Sequence, residues 1–333
     1  MQNYQTTVVI PNYNGLEYLK ACLASLREQT ARDFTTLIID NGSSDGSAEW
    51  LSSYEKEEER VRVILLPENT GFSGAVNLGI RESDTPYVIL LNNDVTADPR
   101  YVEELERMIG RSERIFSVSA KMIQMYHPEL MDDAGDMYSV LGWAFQRGVG
   151  RDIRKYRRSG EVFSACAGAG IYRRKVFDEI GFFDEMHFAY LEDIDVGYRA
   201  KIHGYHNMYA PRAKVFHVGS GTSGSKYNAF KVRLAARNNI YLNWKNMPWP
   251  QLLVNLPSII AGSAVKYGFF RNMGYGREYL EGISEGIKTA PKCRKVPFVP
   301  KHLPNYLSIQ AELVIGTFVY IREFLARHVT DRR

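Results

Sequence analysis

Cysteine is nearly absent. The three present, Cys22, Cys166 and Cys293, are odd in number and widely separated. With no CxxC pair, a disulfide framework and a cysteine zinc site are both excluded, and a reducing compartment fits. There is no low-complexity run and no internal repeat. Apolar stretches are broken by polar residues before they reach the roughly 20 residues a spanning helix needs. The start, MQNYQTTVVIP, carries no basic segment ahead of its first apolar run, so no signal peptide is expected. The rest is globular in composition, 45% hydrophobic and 24% charged, which excludes collagen, a coiled coil and a disordered tail. A chain of 333 residues suggests about two domains.

Acidic residues are missing from one long stretch. Between Val196 and Arg277 there are 12 Lys and Arg and no Asp or Glu. Residues 1–140 carry a net −11 and residues 141–333 a net +15, although the whole chain is only +4. One end of the molecule therefore faces something anionic, or presents a solvated basic face. A phosphate-bearing ligand, a nucleic acid and an anionic membrane all fit the sign.

Over the first 120 residues, strand and helix signals alternate. Thr7–Ile10, Thr36–Ile39, Val61–Leu66 and Tyr87–Leu91 read as apolar strands. Leu16, Leu19, Leu23 and Leu26 mark one face of a helix, and Ser73–Arg81 is a short second one. Asp98-Pro99 reads as a helix start that runs to about Ile109, and Ile115–Ala120 returns as a strand. This order predicts an α/β fold, a mostly parallel sheet with helices on both faces and ligands at the carboxyl ends of the strands. The pattern weakens over 121–165. Beyond it, helices are expected near Arg174–Ile180, from about Glu192 to Gly204 and over Lys226–Asn246, with a strand at Val215–Val218.

Polar groups collect at the expected strand ends. IPNYNG follows the first strand and DNGSSDG the second, so Asp40 stands where a carboxylate can accept from a base N–H or a ribose hydroxyl. The same run also reads as a helix-capping turn through Ser44 or Asp45. The fourth strand ends in Asn92-Asn93-Asp94, which can present a carboxylate to a divalent cation and a diphosphate. Glu192, Asp193 and Asp195 open a helix. Either one of them is a general base, or they form an acidic first turn in which Asp195 pairs with Arg199. His217 follows an apolar strand and precedes a Gly/Ser run (219–224) suited to a lid. Trp143, Tyr190 and Trp244 either stack on a ligand or belong to the core. Arg151, Arg154, Lys155, Arg157 and Arg158 form a basic loop that suits a diphosphate.

Six segments in order, VVIPNYNG, IIDNGSSDGS, ENTGFSGAVNLGI, YVILLNNDV, ACAGAGIYRRKVFDEIGFFDE and FAYLEDIDVGYRAKIHGY, resemble glycosyltransferase family 2 over roughly residues 5–245. Within it the chain is similar to the bacterial rhamnosyltransferase-like and galactofuranosyltransferase-like branch. The resemblance implies a GT-A domain over 1–245, with a nucleotide-sugar-binding half (1–120) and an acceptor and catalytic half (121–245). A helical, basic region follows at 246–333. The implied activity is metal-dependent inverting transfer from a nucleotide-diphosphate sugar, with L-rhamnose from a dTDP donor the first candidate. The implied acceptor is a glycan or a polyprenyl-diphosphate-linked glycan of a bacterial surface polysaccharide. On the same resemblance Asp193 is the base, with Glu192, Asp195 and Trp143 toward the acceptor. Pro11, Asn12, Asp40, Asn77, Asn92 and Asn93 contact the donor, and Asp94 with His217 holds the metal. Asn92 replaces the first Asp of the family's DxD. A nitrogen ligand beside oxygens favours Mn²⁺ over Mg²⁺.

The tail has its own character. Leu252–Phe270 and Ser308–Arg327 are apolar helices flanked by basic residues, read either as packed core or as interfacial elements on an anionic membrane. The expected location is cytoplasmic, peripheral at the inner face of the plasma membrane, with homo-oligomerisation through these helices open. A non-catalytic sugar-nucleotide-binding subunit of an assembly complex is the second functional reading. A nucleic-acid partner is not expected, for want of a clustered aromatic–basic motif.

Overall fold

A computed structural model describes residues 4–219 and 227–330. Most of the Gly/Ser run after His217, read above as a lid, lies outside the described residues.

The chain begins with β1 (Thr6–Asn12), α1 (Leu16–Arg27), β2 (Phe34–Asn41), α2 (Ser47–Glu57), β3 (Val61–Leu66), α3 (Gly71–Arg81) and β4 (Tyr87–Leu91). The four strands pair in parallel in the order β3-β2-β1-β4. The two-residue period of a strand sorts side chains between faces. Val8, Ile10 and Ile38 pack on one side with α1, while Val9, Leu37 and Ile39 pack on the other with α3.

The second half opens with β5 (Val95–Ala97), α4 (Tyr101–Ile109), β6 (Ile115–Gln124), β7 (His127–Asp133), β8 (Asp136–Tyr138), β9 (Ala144–Gln146) and β10 (Gly160–Val162). It continues with β11 (Ala169–Arg173), α5 (Arg174–Ile180), α6 (Glu192–Ile202) and β12 (His206–His217). Here the sheet departs from the sequence expectation and is mixed. β11 lies antiparallel between β4 and β6, and β12 runs parallel to β6 but antiparallel to β5 and β10. Segment 121–165, where periodicity faded, holds short strands too brief to show a repeat. Asp98 also differs from expectation: its carboxylate accepts the Arg100 amide, and α4 starts at Tyr101.

Four helices complete the chain: α7 (Ala229–Asn246), α8 (Trp249–Asn272), α9 (Gly276–Thr289) and α10 (Leu303–Thr330). Ile259 of α8 and Ile309 and Leu313 of α10 are buried with Tyr138, Ile194 and Tyr198, so these helices cover α6 and β8. Sequence reading made α8 a poor spanning segment because of its polar residues. In the fold, Asn255 is instead bonded to Gln310 of α10. By length and composition alone, α8 is sufficient to cross a membrane, and only 17% of its most apolar window is buried.

Candidate active site

Adjacent parallel strands end side by side, and their polar termini bond across the sheet. The Asn12 amide at the end of β1 donates to Asp40 Oδ1 at 2.8 Å, and its oxygen accepts from Asn93 Nδ2 at 2.7 Å. Asp40 Oδ2 accepts the Ser43 amide at 3.1 Å. A chain of Asp40, Asn12 and Asn93 thus joins β2, β1 and the turn after β4, with Pro11 in the same strand end. Asp45 accepts from Leu16 N at the start of α1 and from Ser47 N at the start of α2, but the N-cap position of α2 falls on Gly46 and not on Ser44 or Asp45. Gly15 is required at its place, since a Cβ there would lie 2.1 Å from Asn93 Nδ2.

Past β4, Asp94 meets His217 at the far end of β12, with His217 Nε2 3.3 Å from Asp94 Oδ1. Asp132 of β7 takes the other ring nitrogen at 2.7 Å. Burial alone lowers the basicity of His217, but the hydrogen bonds to Asp132 and Asp94 outweigh it and raise its pKa to about 10. The result is a ring held between two carboxylates. Its orientation is fixed by Asp132, the usual arrangement for a metal-binding histidine. The donor set, a carboxylate oxygen and an imidazole nitrogen with Asn93 adjoining, fits Mn²⁺ or Mg²⁺.

The next residue of β7, Asp133, points the other way, into a second acidic group. Ligand atoms of Asp133, Asp136 and Cys166 lie within 4.8 Å of one another, and a hydrogen bond joins Asp136 to the Asp193 carboxyl. Asp193 opens α6, where its Oδ1 accepts the Ile194 amide at 2.7 Å. Its carbonyl accepts from Ser164 Oγ at 2.5 Å. A Cβ on Gly197 would collide with Ser164, so glycine lets α6 approach this closely. A helix N-terminus favours the charged form of a carboxylate. Burial overrides that at Asp193, and its pKa is raised. Burial and neighbouring charge lift Asp133 to about 8, and burial with the Asp193 charge lifts Glu192 to about 8. Both oxygens of Asp133, Oδ2 of Asp136 and Oε2 of Glu192 are buried with no hydrogen-bond partner among the described residues. Burial thus disfavours the charged form of every acid in the group.

The segment leading into Asp193 is strained. Phe188, Tyr190 and Leu191 have φ of 63°, 71° and 67°, a conformation costing non-glycine residues about 1–3 kcal/mol each. Asn238 of α7 holds it down, reaching the carbonyls of His187, Ala189 and Tyr190 at 2.8–2.9 Å. Arg237 reaches the carbonyls of Met186 and His187. Sequence reading missed Asn238, Asp132, Asp133 and Asp136. The run MDDAGD, three carboxylates around a glycine, was the available signal for the last three.

Three expected site residues are employed elsewhere. The Asn77 amide donates to Phe183 O and Glu185 and accepts from Phe183 N, tying α3 to the loop before α6. Asp195 is completely buried between Arg199 at 2.9 Å, Lys245 at 2.9 Å and Asn246 at 2.7 Å. Trp143 donates to Gly262 O of α8 at 3.1 Å and packs edge-on against Tyr320 of α10. Each bonds within the protein. Asn92 stands half-buried beside Gly168.

Parallel strand ends bearing a carboxylate–amide chain, beside a carboxylate–histidine pair and a buried acid, are the features of a GT-A glycosyltransferase. The chain belongs to glycosyl transferase family 2, whose model matches residues 7–181. An N-acetylglucosaminyl-diphospho-decaprenol L-rhamnosyltransferase of Mycobacterium tuberculosis is 30% identical over 246 residues, 65% of this chain and 77% of that protein. Among solved structures, GalNAc-T7 with UDP, GalNAc and Mn²⁺ aligns with a TM-score of 0.59 at 16% identity, over 72% of this chain and 47% of that one. The mannosyltransferase PcManGT from Pyrobaculum calidifontis, in complex with GDP-Man and Mn²⁺, aligns at 0.56 and 12% identity, over 85% and 87%. At these identities the two structures speak for the fold.

Proposed function

We propose that this chain is an inverting, metal-dependent glycosyltransferase. It transfers a sugar, L-rhamnose from a dTDP donor being the first candidate, onto a glycan or polyprenyl-diphosphate-linked acceptor of a bacterial surface polysaccharide. The observation that carries the reading is the placement of β7, whose successive residues Asp132 and Asp133 reach the His217–Asp94 pair and the Asp193 group respectively. Donor cradle and base thereby adjoin one strand.

In this reading the acceptor hydroxyl attacks the anomeric carbon and gives its proton to Asp193. The new C–O bond forms as the bond to the nucleoside diphosphate breaks. One displacement with no enzyme nucleophile inverts the centre. Asp40, Asn12, Pro11, Asn92 and Asn93 position the donor. Asp94 and His217 would hold the divalent cation, which supplies positive charge against the departing diphosphate.

A thermal-shift screen of nucleotide sugars tests the donor and the metal together. A matching donor is expected to raise the melting temperature with Mn²⁺ present and to lose most of that effect in EDTA. His217→Ala and Asp132→Asn should each weaken Mn²⁺ binding by about 10–100-fold. Donor stabilisation that ignores EDTA would refute the metal roles. Donor binding without turnover by the unaltered protein would favour the non-catalytic subunit.

The location we infer is the cytoplasmic face of the membrane. Leu253, Val254, Ile260 and Val265 of α8, and Leu307, Ile315, Phe318 and Leu325 of α10, are exposed. Lys and Arg flank both helices, and each basic residue near an anionic surface contributes about 1 kcal/mol. Deleting the tail would open the core around Ile259 and Leu313, so surface changes are the better probe. The triple variant Leu253→Glu, Ile260→Glu, Phe318→Glu is expected to stop sedimenting with phosphatidylglycerol vesicles while keeping donor binding. Undiminished sedimentation would overturn the membrane assignment.

A further inference from the structure

On the far edge of the sheet from the strand-end cradle, five arginines converge. Arg107 and Arg111 come from the end of α4, Arg157 and Arg158 from the loop before β10, and Arg212 from β12. With Met108, Ser159, Ala210 and Pro211 they line a cavity of about 310 Å³. The sequence encodes the convergence through a β-bulge. The register of β12 against β6 shifts between Ala210 and Lys214, which turns Arg212 out of the regular alternation. Arg212 stands five residues before His217, so about 16 Å of strand separates this cavity from the metal pair.

The charges gathered here are mostly unpaired. Elsewhere Arg27, Arg62, Arg199, Arg233 and Arg277 each meet a carboxylate within about 3 Å. In the cavity, Arg107 and Arg212 share one carboxylate, Glu104, at 2.5 and 3.4 Å. Arg111, Arg157 and Arg158 make no ion pair among the described residues. Arg151 and Arg154 of the same basic loop are not part of the group, being engaged with Glu323 and Asp152. Like charges gathered in a concavity repel one another unless an anion joins them.

We propose that this cavity is a binding site for phosphate oxyanions, separate from the donor site and independent of the transfer chemistry. Guanidinium groups present paired N–H donors that match phosphate oxygens two at a time. The volume is at the small end of ligand sites and admits a diphosphate or a phosphodiester headgroup. Two sources supply that chemistry, a soluble phosphate and a lipid headgroup. The headgroup has a structural route: Tyr156, next to Arg157, bonds Glu323 of α10, the helix whose apolar face is exposed.

Calorimetric titration with inorganic pyrophosphate in EDTA tests the site away from the metal. The unaltered protein is expected to bind, and Arg157→Ala with Arg158→Ala should weaken binding at least tenfold. Asp94→Asn should leave it unchanged. Neither arginine makes an ion pair among the described residues, so the melting temperature should hold. Arg111→Glu serves as a second, independent variant. In a parallel arm, both variants are sedimented with phosphatidylglycerol vesicles. Weakening in both arms assigns the headgroup as the source, and weakening with pyrophosphate alone assigns a soluble phosphate. No pyrophosphate binding by the unaltered protein, or equal binding by the variants, would overturn the site.

Discussion

Asp193→Asn is expected to lower kcat by about 1,000-fold, within the range for loss of a general base, while the affinity for donor changes less than about twofold. Asparagine keeps the size and the acceptor oxygen that meets the Ile194 amide, so the fold has no cause to move. What is lost is the capacity to take a proton. The pH profile adds an independent readout. Burial raises the Asp193 pKa, which favours the neutral acid. The base must be ionised to act, so kcat/KM should climb with pH through a value above the ordinary carboxylate range. The hydrogen bond from Asp136 lowers the Asp193 pKa, and Asp136→Ala removes it. Its acid limb should therefore move to higher pH. Unchanged turnover in Asp193→Asn would remove it as the base, and an acid limb unmoved in Asp136→Ala would separate the two residues functionally.

How much of this was legible in the sequence depends on how far apart the interacting residues lie. Local signals served well. Alternating apolar runs located β1 to β4, and the polar triplets after them located Asp40 and Asp94, because a parallel sheet places such ends together whatever the loops do. The i, i+4 pairing of Asp195 with Arg199 was also visible as spacing on a helix. Long-range placement was not. Nothing in the neighbourhood of Asp132 says that it will meet His217, 85 residues later. Asn238 reads as an ordinary polar residue of a basic helix, yet it is buried against carbonyls some 50 positions earlier. The basic loop was recognised for its charge, but which of its arginines remain free depended on Glu323, in the last helix.

Asp195→Ala should cost about 3–5 kcal/mol, the usual penalty for removing one partner of a buried ion pair. That corresponds to a fall in melting temperature on the order of 5 °C for a chain of this length. Asp195 is wholly buried, and Arg199 and Lys245 around it are nearly so, leaving Arg199 without a counter-charge and Lys245 with Asp184 alone if it is removed. Burial would raise the Asp195 pKa, but Arg199 and Lys245 hold it far below the usual range. A folded value below the unfolded one, about 3.9, means its stabilisation is complete above that pH and is lost as pH falls further. The difference between the unaltered protein and Asp195→Ala should thus be constant at neutral pH and shrink below about pH 4. Asp133 and Glu192 act with the opposite sign: folded pKa values of about 8 make the native state bind protons the unfolded chain releases, so stability declines between about pH 4 and 8. Replacing Lys245 with Met beside Asp195→Ala should recover part of the loss, because it removes one buried cation. The network matters beyond stability, since Lys245 also holds Asp184 at 2.8 Å, at the start of the strained segment that delivers Asp193. A double variant that regains its melting temperature but not its kcat would show that the ion network places the base as well as supporting the fold.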